Sequence, residues 1–259
     1  MSSSAGARPA ADFGRIAGSY DRLRPVDERW WEVFELLVTA GDLAGRRTLD
    51  VGCGTGTLAV ALAERGAKVW GVDASREMLA EAQAKGSRAR FKEAHAEELP
   101  FKDGWFERVV MRLSLHHLDR PRALREAARV LVPGGRIVVG TFDPEQFADY
   151  WLTRYFPSIA TIDAARFPDQ ETLERELGAA GFAVPTTDRL DQGATLSRAE
   201  ALERIRCRYI STLRLMGEEE FERGLAAAEA ELPAEVGYAV KWLVVAAEKA
   251  PLDAVRPPG

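Results

Sequence analysis

Residues 49–56 read Leu49-Asp50-Val51-Gly52-Cys53-Gly54-Thr55-Gly56, so an apolar run passes directly into three glycines at alternate positions. The residues that follow, 57–65, are mostly apolar and predict a helix. A strand, a glycine turn and a helix in this order let a nucleotide-like ligand lie against bare main chain, where a Cβ would meet the ligand or force an unfavourable φ. Because Thr57 stands where G-x-G-x-x-G has its third glycine, the spacing departs from the dinucleotide-binding motif.

A second apolar stretch, 69–73, ends in the carboxylate of Asp73. In a βαβ unit this carboxylate is well placed to accept hydrogen bonds from two ribose hydroxyls. Asp50 lies within the first predicted strand, where a carboxylate must find hydrogen-bond donors. Two roles are therefore open for Asp50: it braces the glycine turn, or it bonds the ligand.

These residues resemble the class I S-adenosylmethionine (SAM)-dependent methyltransferases and, among them, the type 11 small-molecule branch. The resemblance covers about residues 20–142 and is carried by four blocks in the right order. The blocks are the glycine turn, Asp73, Ala96-Glu97-Glu98-Leu99-Pro100-Phe101 and Arg129-Val130-Leu131-Val132-Pro133-Gly134-Gly135-Arg136. A lone glycine turn is weak evidence, whereas four ordered blocks are specific.

The resemblance implies that SAM is the cofactor and that a segment before the fold is a mobile lid. In the family, a Tyr and an Arg of this lid reach the methionyl end of the cofactor, which makes Tyr20 and Arg24 candidates; simple packing and solvation are the alternative. The implied cofactor contacts are Tyr20, Arg24, Asp50, Gly52, Gly54, Gly56, Asp73, Ala74, Met78, His95, Ala96, Glu97 and Arg112.

His95 departs from the family pattern, which has an aspartate before Ala96 to accept the adenine amino group. A neutral imidazole accepts one hydrogen bond. The main chain of Ala96 and the side chain of Glu97 offer another contact, and His95 facing solvent is a further alternative. The adenine contact is therefore open among these groups.

His116 and His117 follow a strand predicted at 107–112. In open α/β sheets, ligands bind outside the carboxyl ends of strands, near the point where the strand order reverses. The resemblance implies that this histidine pair acts as a base in some members and as scaffolding in others. We predict His116 and His117 as the catalytic residues, because a hydroxyl or amine acceptor must lose a proton and imidazole titrates near neutrality. No metal is expected, since the sequence has no clustered Cys and His ligands.

The predicted fold is α/β: a doubly wound, mostly parallel sheet of seven strands, Rossmann-like, with the last strand antiparallel and a helical cap made by two insertions. The strands are predicted at about 47–51, 68–73, 89–94, 107–112, 136–142, 183–188 and 236–247, and the helices of the second insertion at 198–216 and 218–232. The predicted divisions are a tail and lid (1–25), the SAM-binding core (26–142), a first cap insertion (143–168), more of the core (169–189), a helical cap insertion (190–235) and the last strand with a tail (236–259).

Both insertions leave the carboxyl ends of strands, so both are expected to cover the cofactor. The first insertion is rich in aromatic residues, which are Phe147, Tyr150, Trp151, Tyr155, Phe156 and Phe167. Most of these are expected to form the core of the cap, and two or three to line an enclosed, largely apolar substrate pocket.

Composition narrows the class of protein. The chain has 259 residues, 46% of them hydrophobic, which suits one large α/β domain with insertions. A net charge of −5 gives no basic field for nucleic acid, and no apolar run approaches a membrane span. The two cysteines cannot make a disulfide framework, and residues 1–9 read as a floppy tail without a signal-peptide core. We therefore expect a cytoplasmic protein that has a small-molecule substrate and neither a nucleic-acid nor a membrane partner.

The favoured function is SAM-dependent methyl transfer to a small organic acceptor, by O- or N-methylation in an apolar capped pocket. An NAD(P)-dependent oxidoreductase is the first alternative, because Asp73 would also hold an adenosine ribose, but the third glycine and a recognisable Tyr-Lys pair are missing. A SAM-binding protein without turnover is the second alternative, for which His95 at the adenine position is the argument.

Overall fold

The computed structural model describes residues 17–183 and 185–251, and the predicted tails at 1–9 and 257–259 lie outside them. One seven-stranded sheet runs through these residues in the order 3-2-1-4-5-7-6, with β7 antiparallel to both of its neighbours. This confirms the predicted fold class. The strands are β1 (Arg47–Val51), β2 (Lys68–Asp73), β3 (Arg90–Glu93), β4 (Phe106–Arg112), β5 (Leu131–Phe142), β6 (Thr186–Ser197) and β7 (Glu235–Glu248).

The helices begin at residues whose side chains cap the first turn. Asp27, Ser75, Asp119 and Asp169 each accept a hydrogen bond from a main-chain N–H two or three residues inside the helix, as N-caps do. The helices are α1 (Ala17–Leu23), α2 (Glu28–Gly41), α3 (Thr57–Glu64), α4 (Arg76–Ala84), α5 (Arg120–Val130), α6 (Ser158–Ala164), α7 (Gln170–Ala179), α8 (Arg198–Arg206), α9 (Thr212–Leu215) and α10 (Glu218–Glu231).

Two apolar cores cover the two faces of the sheet. Successive residues of one strand enter opposite cores: Val109 and Met111 belong to the core under α5 and α7, and Val110 to the core under α2 and α3. Since both faces are covered, the central strands read as continuous apolar runs instead of alternating ones. This arrangement leaves the carboxyl ends of the parallel strands as the edge on which a site can form.

A third core holds the cap together. Its buried residues come from the segment 152–159, from 196–236 and from Leu23 of α1. Both insertions and α1 therefore share one apolar cluster. The predicted end of β6 at 188 was wrong: β6 pairs with β7 as far as Ser197 and carries the sheet into the cap. The polar sequence of this strand hides it, because most of its side chains are exposed or half-buried.

The helix predicted at 198–216 is in fact two helices. α8 ends at Arg206, and Arg208 adopts a left-handed φ of 46° that no continuous helix contains. The Arg208 guanidinium lies over the Phe221 ring at 3.6 Å. The main-chain carbonyl of Arg208 accepts a hydrogen bond from the Arg214 side chain. These contacts stabilise the break, and the apolar periodicity of the segment does not reveal them.

None of the described helices is long and apolar enough to cross a membrane.

Two helical glycines give a test of the cap packing. A Cβ at Gly224 of α10 would lie 2.3 Å from Phe156 Cε1 and 2.6 Å from the carbonyl of Tyr155, whereas a Cβ at Gly178 of α7 would meet no atom within 4 Å. We expect Gly224→Ala to destabilise the protein by about 1–3 kcal/mol through overpacking. Gly178→Ala should stabilise it by about 0.5–1 kcal/mol through helix propensity. Urea unfolding measures both changes, and a shift of the two midpoints in the same direction would contradict the packing.

Candidate active site

A cavity of about 1000 Å³ lies at the carboxyl ends of β1, β2 and β4 and continues beneath the cap. β1 pairs with β2 on one side and β4 on the other, so the cavity sits where the strand order reverses. All but one of the predicted site residues line it, and the exception is Gly56. The lining residues among them are Tyr20, Arg24, Asp50, Gly52, Gly54, Asp73, Ala74, Met78, His95, Ala96, Glu97, Arg112, His116 and His117.

The three glycines of the turn serve different purposes. All have positive φ, at 72°, 54° and 75° for Gly52, Gly54 and Gly56. A Cβ on Gly52 would lie 2.4 Å from Ser114 Cβ, and one on Gly56 would lie 2.8 Å from the Phe91 ring, so these two glycines are required by the protein's own packing. A Cβ on Gly54 would meet no described atom within 4 Å. Gly54 alone therefore presents the open main chain that the sequence analysis expected of all three.

Asp73 braces the glycine turn. Its Oδ2 accepts a hydrogen bond from the Gly54 N–H at 2.8 Å, and its Oδ1 accepts one from the Ser75 N–H at 2.9 Å. Asp73 thus braces the turn, and the two roles considered for Asp50 stay open. Each carboxylate oxygen keeps a second lone pair, so Asp73 can still accept hydrogen bonds from two hydroxyls.

Asp50 is almost fully buried at the base of the cavity, with 2% of its surface exposed. Its Oδ2 has no hydrogen-bond partner among the described residues. Burial and the nearby Asp73 raise the pKa of Asp50 to about 7, against the opposing effects of Arg112 and the Ala59 amide. An unpartnered carboxylate oxygen at this depth fits a positively charged donor such as an ammonium group.

The part of the cavity where the sequence analysis predicts adenine is formed by the residues that follow β2 and β3. Met78 of α4 is buried, Ala96 is buried and His95 is exposed at the rim. The Glu97 carboxylate accepts a hydrogen bond from the Asp119 N–H at 2.8 Å, which attaches it to the start of α5. Among the groups considered for adenine, Ala96 is buried and the Glu97 carboxylate is held by a hydrogen bond, whereas His95 is exposed.

Helix α1 and Arg24, the residue that follows it, connect the glycine turn to the cap by hydrogen bonds. Asp21 accepts a hydrogen bond from the Thr55 hydroxyl at 2.6 Å and forms an ion pair with Lys85. Arg24 lies over the Tyr20 ring, donates to the Tyr20 hydroxyl and donates to the carbonyl of Tyr209 in the cap at 2.8 Å. Tyr20 itself packs against Met78, next to the predicted adenine position.

The two histidines are held in low-polarity surroundings. His116 is 6% exposed and stacks on Phe167 with 4.0 Å between ring centroids, and burial lowers its pKa well below the usual value. His117 Nδ1 lies 3.0 Å from the Arg166 guanidinium. Because a guanidinium only donates, Nδ1 accepts and the neutral ring carries its proton on Nε2. Burial and Arg166 lower the pKa of His117 to about 3, so it is uncharged at pH 7.

A polar cluster that the sequence analysis missed joins both insertions to the end of β4. Arg166 donates to His117 and to the Ser211 hydroxyl, both at 3.0 Å, and forms an ion pair with Asp163. Asp163 also accepts a hydrogen bond from the Thr212 hydroxyl at 2.6 Å, and burial raises its pKa to about 6. The cluster comes from three distant segments, so no local sequence pattern points to it.

Three of the six aromatic residues in the first insertion line the cavity, namely Phe147, Tyr150 and Phe167. Tyr155 and Phe156 are buried in the core of the cap. The cavity wall also contains several arginines among its apolar side chains. Within the described residues, no group of three His, Cys, Asp or Glu side chains is placed to hold a metal ion.

Comparison with known proteins identifies the family. The type 11 methyltransferase domain model matches residues 49–139. The demethylmenaquinone methyltransferase of Clavibacter sepedonicus is 34% identical over 201 residues, which cover 67% of this chain and 82% of that protein. The enzyme of the same name from Thermus thermophilus is 36% identical over 207 residues, 66% of this chain and 91% of that protein.

Solved structures share the fold. The YcgJ protein of Bacillus subtilis superposes with a TM-score of 0.61 at 22% identity, covering 85% of this chain and 99% of that one. The phosphoethanolamine N-methyltransferase 2 of Haemonchus contortus, solved with SAM, gives a TM-score of 0.61 at 20% identity and covers 95% of this chain and 61% of that one. The glycine turn, the unpartnered Asp50 oxygen and the spare lone pairs of Asp73 fit the same cofactor. The chain is therefore a class I SAM-dependent methyltransferase of type 11, and SAM is its cofactor.

Proposed function

We propose that this methyltransferase transfers the methyl group to an oxygen or nitrogen atom of a small organic acceptor that is enclosed beneath the cap. One observation carries the proposal: a single cavity runs from the glycine turn to the aromatic residues of the cap. Its volume of about 1000 Å³ is at the upper end for ligand sites, so it suits a cofactor and an acceptor together.

We further propose how the chain holds the cofactor. Asp73 accepts the ribose hydroxyls, Asp50 pairs with the ammonium group, and Tyr20 with Arg24 binds the carboxylate. Ala74, Met78, His95, Ala96 and Glu97 surround the adenine. When bound, SAM supplies a methyl group already activated by the sulfonium, so the protein's task is to orient the acceptor and exclude water.

His116 and His117 stay our predicted catalytic pair, and we propose that they act by orienting the acceptor more than by removing its proton. An imidazole whose pKa lies far below its usual value is a weak base at pH 7. His117 presents an N–H donor on Nε2, since its Nδ1 already accepts from Arg166. We propose that the pair positions the acceptor and that an acceptor which ionises readily is favoured.

Methylation of a carbon atom is the second candidate. Three relatives above 30% identity are named demethylmenaquinone methyltransferases, and a fourth, from Edwardsiella ictaluri, is named a C-methyltransferase of ubiquinone and menaquinone biosynthesis. The aromatic wall of the cavity suits a flat ring.

The methylated atom can be read from the product. Incubation with SAM labelled with ¹³C at the methyl group, over a panel of phenols, amines, carboxylates and quinols, should give a methoxyl or N-methyl carbon signal by NMR. A ring-bound methyl signal would select the second candidate. Calorimetry that detects no binding of S-adenosylhomocysteine (SAH) would remove the proposed function altogether.

Gly54 offers a test of the main-chain contact with a matched control. Gly45 also has a positive φ, 70°, and a Cβ there would likewise meet no atom within 4 Å. Gly54→Ala and Gly45→Ala should each cost about 1–2 kcal/mol of stability through backbone strain. Only Gly54→Ala should weaken SAH binding, by about tenfold or more, since its methyl enters the cavity. Equal SAH affinity in the two variants would show that the cofactor does not lie against Gly54.

The raised pKa of Asp50 makes cofactor binding depend on pH. Only the ionised carboxylate pairs with an ammonium, so protonation below about pH 7 should weaken SAH binding. The dissociation constant should rise by roughly tenfold between pH 8 and pH 6, since a proton is taken up as the ligand leaves. Asp50→Asn should bind SAH weakly and without this pH dependence. Titration calorimetry at four pH values checks both expectations, and an unchanged pH profile in the variant would contradict them.

A further inference from the structure

The half of the cavity beneath the cap carries an excess of positive charge. Its wall contains the arginines Arg24, Arg29, Arg112, Arg166 and Arg204 and the acids Asp27 and Asp163. Each acid already has an arginine: Asp27 pairs with Arg29 at 2.5 Å, and Asp163 pairs with Arg166 at 3.3 Å. Within 17–183 and 185–251, no carboxylate lies within 4.0 Å of the guanidinium nitrogens of the other three.

Arg112 is the most distinctive of these three arginines. It is the last residue of β4, and its guanidinium carbon lies 5.7 Å from the ring centroid of Trp30 and 5.2 Å from that of Trp242. It lines the cavity and makes no hydrogen bond to the described residues. Burial lowers its pKa only to about 10, so it is charged at pH 7. Two indole rings thus cover a charged group that has five N–H donors to satisfy.

Aromatic side chains extend away from this guanidinium along the cavity wall. Trp242 contacts Phe142 with 4.7 Å between ring centroids, and Phe142 stacks with Phe167 at 6.0 Å. Phe167 in turn contacts Phe147 at 4.9 Å and His116 at 4.0 Å. The wall therefore contains a cation and, beyond it, a connected series of aromatic side chains.

The cofactor cannot balance this charge. Its carboxylate needs one cation, which Arg24 supplies. Its ammonium group takes up Asp50, the acid whose charge also acts on Arg112, and its sulfonium group adds a further positive charge. A cation in a closed cavity is costly unless it is paired. We propose that the acceptor is an aromatic carboxylate, whose two oxygens bind the edge of the Arg112 guanidinium while its ring lies along the aromatic row. A planar two-oxygen group matches the paired N–H donors along one edge of a guanidinium.

This inference rests on the proposed function, and its test keeps the two apart. SAH binding is measured first. The SAH-saturated protein is then titrated with benzoate, cinnamate and 2-naphthoate and with the corresponding amides, which have the same shape without the charge. We expect each carboxylate to bind about tenfold or more tightly than its amide, because the charged hydrogen bonds are lost in the amide. Binding should weaken as potassium chloride is raised.

Variants locate the carboxylate. Arg112→Gln, measured with the protein saturated with SAH, should abolish the preference for carboxylates. Arg112→Lys, which keeps the charge without the planar fork, should retain part of the preference. Arg154→Gln is the matched control, since Arg154 is 71% exposed and pairs with Glu231 outside the cavity, and it should change nothing.

Several outcomes would overturn the inference while the proposed function stands. They are equal binding of acids and amides, no binding of any carboxylate at millimolar concentration, tighter binding of phenyl phosphate than of benzoate, and a carboxylate preference that survives Arg112→Gln. Loss of SAH affinity in Arg112→Gln would assign this arginine to the cofactor instead. Failure of the unaltered protein to bind SAH would reject the proposed function itself.

Discussion

The hydrogen bonds between the end of β2 and the glycine turn are the constraint on which the cofactor site depends. The carbonyl of Val72 accepts from the Gly52 and Cys53 N–H groups, and the next residue, Asp73, accepts from the Gly54 N–H. These bonds require β1 and β2 to be parallel neighbours and require a left-handed turn between β1 and α3. Once they form, the turn cannot collapse onto the sheet, and the Gly54 main chain stays open to the cavity.

The charges of the cavity are sorted along its length. Asp50, which is buried, and Asp73, which is half-buried, lie at the cofactor end, and the arginines without an ion-paired acid lie under the cap. The histidines between them are kept neutral by burial and by Arg166. Because an apolar enclosure strengthens every electrostatic interaction within it, this separation discriminates between ligands by charge more strongly than the same groups would in water.

Local signals predicted most of the fold and the cofactor end of the site. The glycine turn, Asp73 and the apolar strands can be recognised in the local sequence, without knowledge of distant contacts. They predicted the sheet, its fold class and the position of the cavity. The length of β6 was missed because the strand is held by main-chain pairing with β7, while its polar sequence lacks the apolar pattern of a strand. The separate purposes of Gly52 and Gly54 depend on Ser114, which is distant in sequence, so the turn alone cannot distinguish them.

The cap end could not be predicted in this way, and the reason is physical. Arg166, His117 and Ser211 belong to three segments that meet only when both insertions pack on the sheet and on α1. The family model ends at residue 139, before either insertion begins, so it does not describe the cap. The side chains beneath the cap are therefore brought together by contacts that arise only in the tertiary structure. The contacts of the Arg112 guanidinium with Trp30 of α2 and Trp242 of β7 form only because the fold brings those two elements to the end of β4.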